Sequence, residues 1–225
     1  MRRDTVKEEI EILYEDKDIL VCVKPHGLPT QSKNIRITDV ERWGKNHVFQ
    51  ENPGKSPYIA VIHRLDQPVK GILVLGKNKK AAGNLSRQLQ TGSFGKYYMA
   101  KVEGVPAKPE GDLVNFMVKN GRENTSMICE KERPEAKEAR LHYQVLEIEK
   151  DSSLLEIHLD TGRHHQIRVQ MAHMGNPLMG DVKYNTRTQE NVSKSVLCLC
   201  AYKLEFRHPM TGKVMRFQLG PEEWW

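Results

Sequence analysis

The chain has 225 residues, with 35 Lys and Arg against 29 Asp and Glu, a formal charge of +6 and an isoelectric point of about 9.1. Hydrophobic residues make up 38% of it, an ordinary globular share that excludes wholesale disorder. The longest apolar runs, Ile19 to Val23 and Val196 to Tyr202, fall far short of the roughly 20 residues that cross a bilayer, and Met1-Arg2-Arg3-Asp4 leads into acidic residues rather than an apolar signal core.

In chain order, Ile10 to Tyr14 and Ile19 to Lys24 are apolar runs around Glu15-Asp16-Lys17-Asp18 and predict a β-hairpin closed off by the turn Lys24-Pro25-His26-Gly27-Leu28-Pro29. Thr38-Asp39-Val40-Glu41 has the form of a capping box and predicts a helix that fades near Glu51-Asn52-Pro53-Gly54. Gly71 to Gly76 predicts a buried strand, Lys79 to Leu89 a helix stopped by Thr91-Gly92, and Lys96 to Val102 an alternating strand. Three hairpins follow, turning at Asn120-Gly121, Asp151-Ser152 and Pro209-Met210-Thr211-Gly212, with one helix at about Arg163 to Met174 between the second and third. Strands dominate without strict βαβ alternation, so the expected class is α+β with a mixed, mostly antiparallel sheet. Residues 1–9 read as an N-terminal extension and 10–225 as one domain, expected in the cytoplasm as a monomer with no obligate protein partner and no membrane contact.

The positive charge is uneven. Arg64 to Lys108 holds nine Lys and Arg against only Asp66 and Glu103, while residues 111–225 balance at 16 against 16. A basic stretch around one carboxylate suits a polyanion-binding surface with a single acidic reactive group, although a solvated face has the same composition. Cys22, Cys129, Cys198 and Cys200 show no Cys-x-x-Cys spacing and read as buried thiols.

Three segments could carry chemistry. His63-Arg64-Leu65-Asp66 lies between apolar stretches, where a carboxylate can be a nucleophile, a general base, a metal ligand or a turn residue. Asp160 to Arg168 crowds donors into the start of a helix, a place that attracts phosphate and from which an arginine can hold a carboxylate with a forked pair of hydrogen bonds. His164 and His165 are adjacent and so diverge on a helix, and His173 lies eight beyond His165 without a zincin glutamate, so no metal site is expected. In Gly95 to Val102, alternation puts Lys96, Tyr98 and Ala100 on one face and Tyr97, Met99 and Lys101 on the other, so one tyrosine should pack and the other serve the site.

Five segments in order resemble the RluA-type family of RNA pseudouridine synthases: Val23 to Pro29, His63 to Asp66, Lys96 to Gly104, Thr161 to Gly175 with Pro177 to Asp181, and Leu199 to Pro209. The resemblance spans residues 10–219. It implies one catalytic domain whose sheet is divided by a basic cleft, and isomerisation of uridine to pseudouridine in rRNA or tRNA with no metal or organic cofactor. By the same resemblance Asp66, Tyr98 and Arg168 are catalytic. His63, Arg64, Arg163, Gln166, Ile167 and Leu199 are expected against the substrate, with Arg64 filling the gap left by a flipped base. Lys24, Lys70, Lys96 and Lys101 are expected on RNA.

The chain departs from the family pattern at three places. Val69 and Lys70 stand where small hydroxyl residues are usual, His164 replaces a threonine, and Cys200 replaces a histidine. With only nine residues before the first strand, no S4-type RNA-binding domain is expected. A noncatalytic RNA-binding or ribosome-assembly protein is the alternative reading, and a metal-dependent phosphodiesterase a weaker third.

Overall fold

The first hairpin forms as its apolar runs predict. In the computed structural model, which describes residues 10–51, 53–54, 56–185 and 196–225, β1 (Glu11–Glu15) pairs antiparallel with β2 (Ile19–Lys24). Then come helix α1 (Val40–Glu51), β3 (Ala60–Val61), β4 (Lys70–Gly76), helix α2 (Lys79–Gln90) and β5 (Gly95–Glu103). The rest comprises β6 (Glu110–Asn120), β7 (Thr125–Cys129), β8 (Lys137–Ile148), β9 (Ser152–Leu159), helix α3 (Gln166–Met174), β10 (Leu199–Arg207) and β11 (Val214–Gln218). The 1–9 extension and Asn52, where the first helix was expected to fade, lie outside the described residues.

Two helix starts differ from expectation. The cap of α1 falls one residue later than Thr38, because the Asp39 carboxylate accepts the Arg42 amide at 2.8 Å while Glu41 turns outward to Gln31 and Lys45. Helix α3 begins at Gln166 rather than Arg163, because His165 before it adopts a left-handed backbone with φ 55°.

Among the described residues the strands form one sheet in the order β1-β2-β4-β10-β5-β9-β8-β6-β7, with β3 on β4 and β11 on β10. Every pairing is antiparallel except β4 with β10, which touch over only two residue pairs, Cys200 with Lys70 and Ala201 with Gly71. That short parallel contact is the seam between the two halves of the sheet. Gly71 is required there: a Cβ on it, at φ 143°, would lie 2.5 Å from the Ala201 carbonyl oxygen.

Alternation along the strands sorts side chains into two cores. On one face Leu20, Leu73, Tyr98, Ala100, Leu155 and Ile157 pack under α1 and α3, through Val40, Ile167 and Met171. On the other, Val21, Ile72, Val74, Met99 and Cys200 pack against Ala81 and Leu85 of α2 and the C-terminal Leu219. Of the four cysteines expected as buried thiols, Cys22 and Cys200 are buried, while Cys129 and Cys198, which precedes β10, are half-buried. Among the described residues no helix is long and apolar enough to cross a membrane.

Candidate active site

Asp66 sits in the loop between β3 and β4, at the sheet seam, and the opening turn of the chain holds that loop in place. The Thr30 hydroxyl donates to the Leu65 carbonyl at 2.9 Å and accepts the Leu65 amide at 3.2 Å. The Gly27 amide donates to the Gln67 carbonyl at 3.0 Å, and the Gln67 side chain returns a bond to the Gly27 carbonyl. His26 Nδ1 lies 2.8 Å from the Pro68 carbonyl, which makes that nitrogen the donor. The loop thus has its backbone groups met by a segment about 40 residues upstream, which the sequence reading did not anticipate.

Lys24 belongs to this clamp and not to RNA binding. It has no exposed surface, and its Nζ donates to the carbonyls of Pro25, Leu28 and Gln67 at 2.9, 2.7 and 3.0 Å. Burial pushes its pKa down to about 7, while the three carbonyls and the Asp66 charge favour the ammonium. His63 also leaves the substrate side. Its Nε2 accepts the Val74 amide and its ring meets Phe94 edge-on, so it belongs to the α2 core, where burial and then Lys96 push it down to about 3. Lys70 alternates with Val69 and so shares the face of Ile72 and Val74, and Lys101 lies on the same far side, paired with Glu149 at 2.8 Å. Neither reaches the site; strand alternation turns both away.

The remaining expected residues converge. One small pocket, about 70 Å³, is lined by Arg64, Asp66, Tyr98, Arg163, Gln166, Ile167, Arg168 and Leu199, together with Leu65, Val69, Leu159, Gly162 and His165. A larger depression of about 810 Å³ lies elsewhere, between the β6–β7 hairpin and α3. The Asp66 side chain keeps 27% of its surface exposed, so the carboxylate is reachable. Arg64 and Arg163 are exposed at the mouth, and Arg163 is fixed by its Nε donating to the Glu138 carbonyl at 2.7 Å. Gln166 lines the pocket but its amide is taken: Oε1 accepts the Thr161 hydroxyl and the Arg163 amide, and Nε2 donates to Arg140 and Gln170. It shapes the 161–163 loop. Lys96 is 7% exposed, on the Tyr98 face beside Gly162, with no hydrogen bond or ion pair among the described residues. Burial brings its pKa down to about 8.

The forked pair of hydrogen bonds that an arginine of this segment is expected to give a carboxylate goes from Arg168 to Asp181. Arg168 Nε and Nη2 each donate at 2.7 Å to Asp181, whose side chain is fully buried, and Nη1 reaches Asp66 Oδ2 at 3.7 Å. Asp181 also accepts the amides of Lys183 and Tyr184, so it anchors the guanidinium that faces Asp66. Burial outweighs Arg168 and Lys24, and the Asp66 carboxyl titrates above its ordinary value. Burial and the Asp66 charge push the Tyr98 phenol well above its usual range, which keeps it neutral.

Two contributors were missed. Asp181 closes the fourth family-like segment and was not expected as a partner. His165 was set aside with the possible metal ligands, yet its Nε2 lies 3.7 Å from Asp66 Oδ2. The signal for Asp181 was a carboxylate 13 residues after Arg168 in the same segment; for His165 there was none beyond its place between two arginines.

The family model for RNA pseudouridylate synthase matches residues 18–173. An RNA pseudouridine synthase of Bacillus subtilis is 32% identical over 220 residues, covering 93% of this chain and 68% of that one. The ribosomal large subunit pseudouridine synthase D of Haemophilus influenzae is 31% identical over 223 residues, covering 92% and 66%. Among solved structures, human RNA pseudouridylate synthase domain containing 4 superposes with a TM-score of 0.78 at 23% identity, over 93% of this chain and 88% of that one.

Proposed function

The chain belongs to the RNA pseudouridylate synthase family and is an RNA pseudouridine synthase, and from that premise we propose that it isomerises uridines in structured RNA with Asp66 as the catalytic carboxylate. Relatives named ribosomal large subunit pseudouridine synthase D make rRNA the first substrate to test and tRNA the second. The observation that carries the reading is the meeting of an accessible Asp66 with Arg168 and Tyr98 in one pocket whose mouth holds Arg64 and Arg163.

Isomerisation breaks the bond from the sugar C1′ to N1 of uracil and makes one to C5; C5 gives up its proton and N1 gains one. A carboxylate can add to the sugar or the pyrimidine and depart again, or remove a proton from the sugar, and Asp66 serves either route. Arg168 fixes the direction of that carboxylate. Tyr98 offers a flat ring for the base and a neutral hydroxyl for late proton movement. The pocket is small, about 70 Å³, so an entering base displaces its water and pushes the exposed Arg64 aside, into the space the base has left. Arg163, exposed at the mouth, meets an RNA phosphate, with Lys96 adding its charge from behind Gly162. A monomer acting in the cytoplasm without metal or organic cofactor fits this reading.

The test is tritium release from RNA carrying 5-tritiated uridine. Release from the rRNA pool is expected; release from neither rRNA nor tRNA, with RNA still bound, overturns the reading.

A further inference from the structure

His165 has an unusual setting. It is one of three non-glycine residues with positive φ among the described residues, a conformation that costs free energy unless its surroundings enforce it. The enforcement is visible: its ring stacks on His164 at 3.7 Å between centroids and meets the Tyr184 ring edge-on at 5.6 Å. His164, the residue that replaces a family threonine, is tied in turn to the β6–β7 hairpin through Ser126 Oγ at 2.9 Å and Asn124 Oδ1 at 3.1 Å.

The hydrogen bonds around His165 fix its proton. The Tyr184 hydroxyl accepts the Ser126 amide at 2.9 Å and lies 2.7 Å from His165 Nδ1. Among the described residues Nδ1 is the one acceptor within reach of the hydroxyl's own hydrogen, so the hydroxyl donates to Nδ1 and the ring proton sits on Nε2. Nε2 is the nitrogen 3.7 Å from Asp66 Oδ2, the same oxygen that Arg168 Nη1 approaches. We propose that His165 is a positioning residue for the reaction, presenting an Nε2–H to the Asp66 carboxylate in a tautomer set by Tyr184 and the Ser126 amide. A closed ring of contacts results: Asp66 to Arg168, Arg168 to Asp181, Asp181 to the Tyr184 amide, Tyr184 to His165, and His165 back to Asp66. The 3.7 Å gap is longer than a hydrogen bond and tightens when the base expels water, as catalytic contacts do on substrate binding. The charged and titratable groups around the imidazole are Asp66, Arg168, Asp181, His164, Tyr184, Lys183 and Lys119; burial first, and then the cations among them, hold it neutral, at about 3.

The tautomer is testable without turnover, while the kinetic arm rests on the isomerase reading above. In 15N-labelled protein at pH 7, with His165 identified by its loss in His165→Gln, its nitrogens should show the Nε2–H pattern, and Tyr184→Phe should mix the two tautomers. An Nδ1–H pattern or an imidazolium in the wild type overturns the proposal. In tritium release, His165→Ala should lower kcat about ten- to a hundredfold with KM unchanged and move the acid limb of the rate profile to higher pH. His165→Gln, which keeps an N–H at similar reach, should recover most of both. Equal losses in the two variants, or an unmoved acid limb in His165→Ala, overturn the positioning role. A wild type with the assigned tautomer and no tritium release would contradict the isomerase reading and leave the Nε2–H assignment standing.

Discussion

The two faces of β5 carry matching inventories, one lysine and one tyrosine each, with opposite outcomes. On the face toward α3, Tyr98 borders Asp66 and Lys96 is buried near the Asp160 charge, with no ion pair among the described residues. On the face toward α2, Tyr97 stacks on His158 at 4.7 Å beneath Lys203, and Lys101 pairs with Glu149. Residue type therefore does not mark the site. What separates the faces is what covers them: the Asp66 loop and the start of α3 lie over the Tyr98 face, and α2 packs on the other, whose polar groups pair among themselves.

The largest effect that would sharpen this contrast is on the pocket side. Arg168→Ala strands the buried Asp181 and should cost about 3–5 kcal/mol in urea unfolding at pH 7, with tritium release lost as well; unchanged stability would mean that the Asp181 pair is not what holds the guanidinium. Next, Tyr98→Phe should slow turnover at least roughly tenfold, whereas Tyr97→Phe should leave it unchanged. Equal rates for the two would erase the distinction between the faces. Smaller again, Lys96→Met should reduce the slope of log affinity for RNA against log salt by about one, and Lys101→Met should not alter it. The smallest effect concerns Asp66 itself. Its carboxyl titrates above the ordinary value because it is buried, so the folded chain binds that proton more tightly than the unfolded chain. The stability this group contributes is full below the ordinary carboxyl value and falls as pH rises through the raised one. Asp66→Asn should accordingly be slightly more stable than the wild type at pH 7 and no more stable near pH 3, which paired urea titrations would show. Wild-type kcat/KM should rise with pH across the same interval.

Much of this arrangement was legible in the chain. The periodicity from Lys96 to Val102 gave the correct facing of both tyrosines, and the turn dipeptides fell at the ends of the strands they were expected to join, with Asn120 the last residue of β6 and Ser152 the first of β9. The misreadings share a cause: local pattern does not say what lies across a strand or beneath a loop. Lys24 ends an apolar strand, like many solvated lysines, but the loop at Gln67 folds over it and supplies a carbonyl. Lys70 is expected on RNA, yet alternation from Val69 turns it to the face of Ile72 and Val74. Arg168 is expected at the site beside Asp66, and it does face Asp66, but the partner that takes its fork, Asp181, comes from the segment after α3.

The most direct test is single-turnover pseudouridine formation by Asp66→Asn under conditions where it binds the modified RNA as tightly as the wild type does. The account predicts RNA bound and uridine unchanged, a loss of at least about a thousandfold. Pseudouridine appearing at the wild-type rate would remove Asp66 from the chemistry and contradict it.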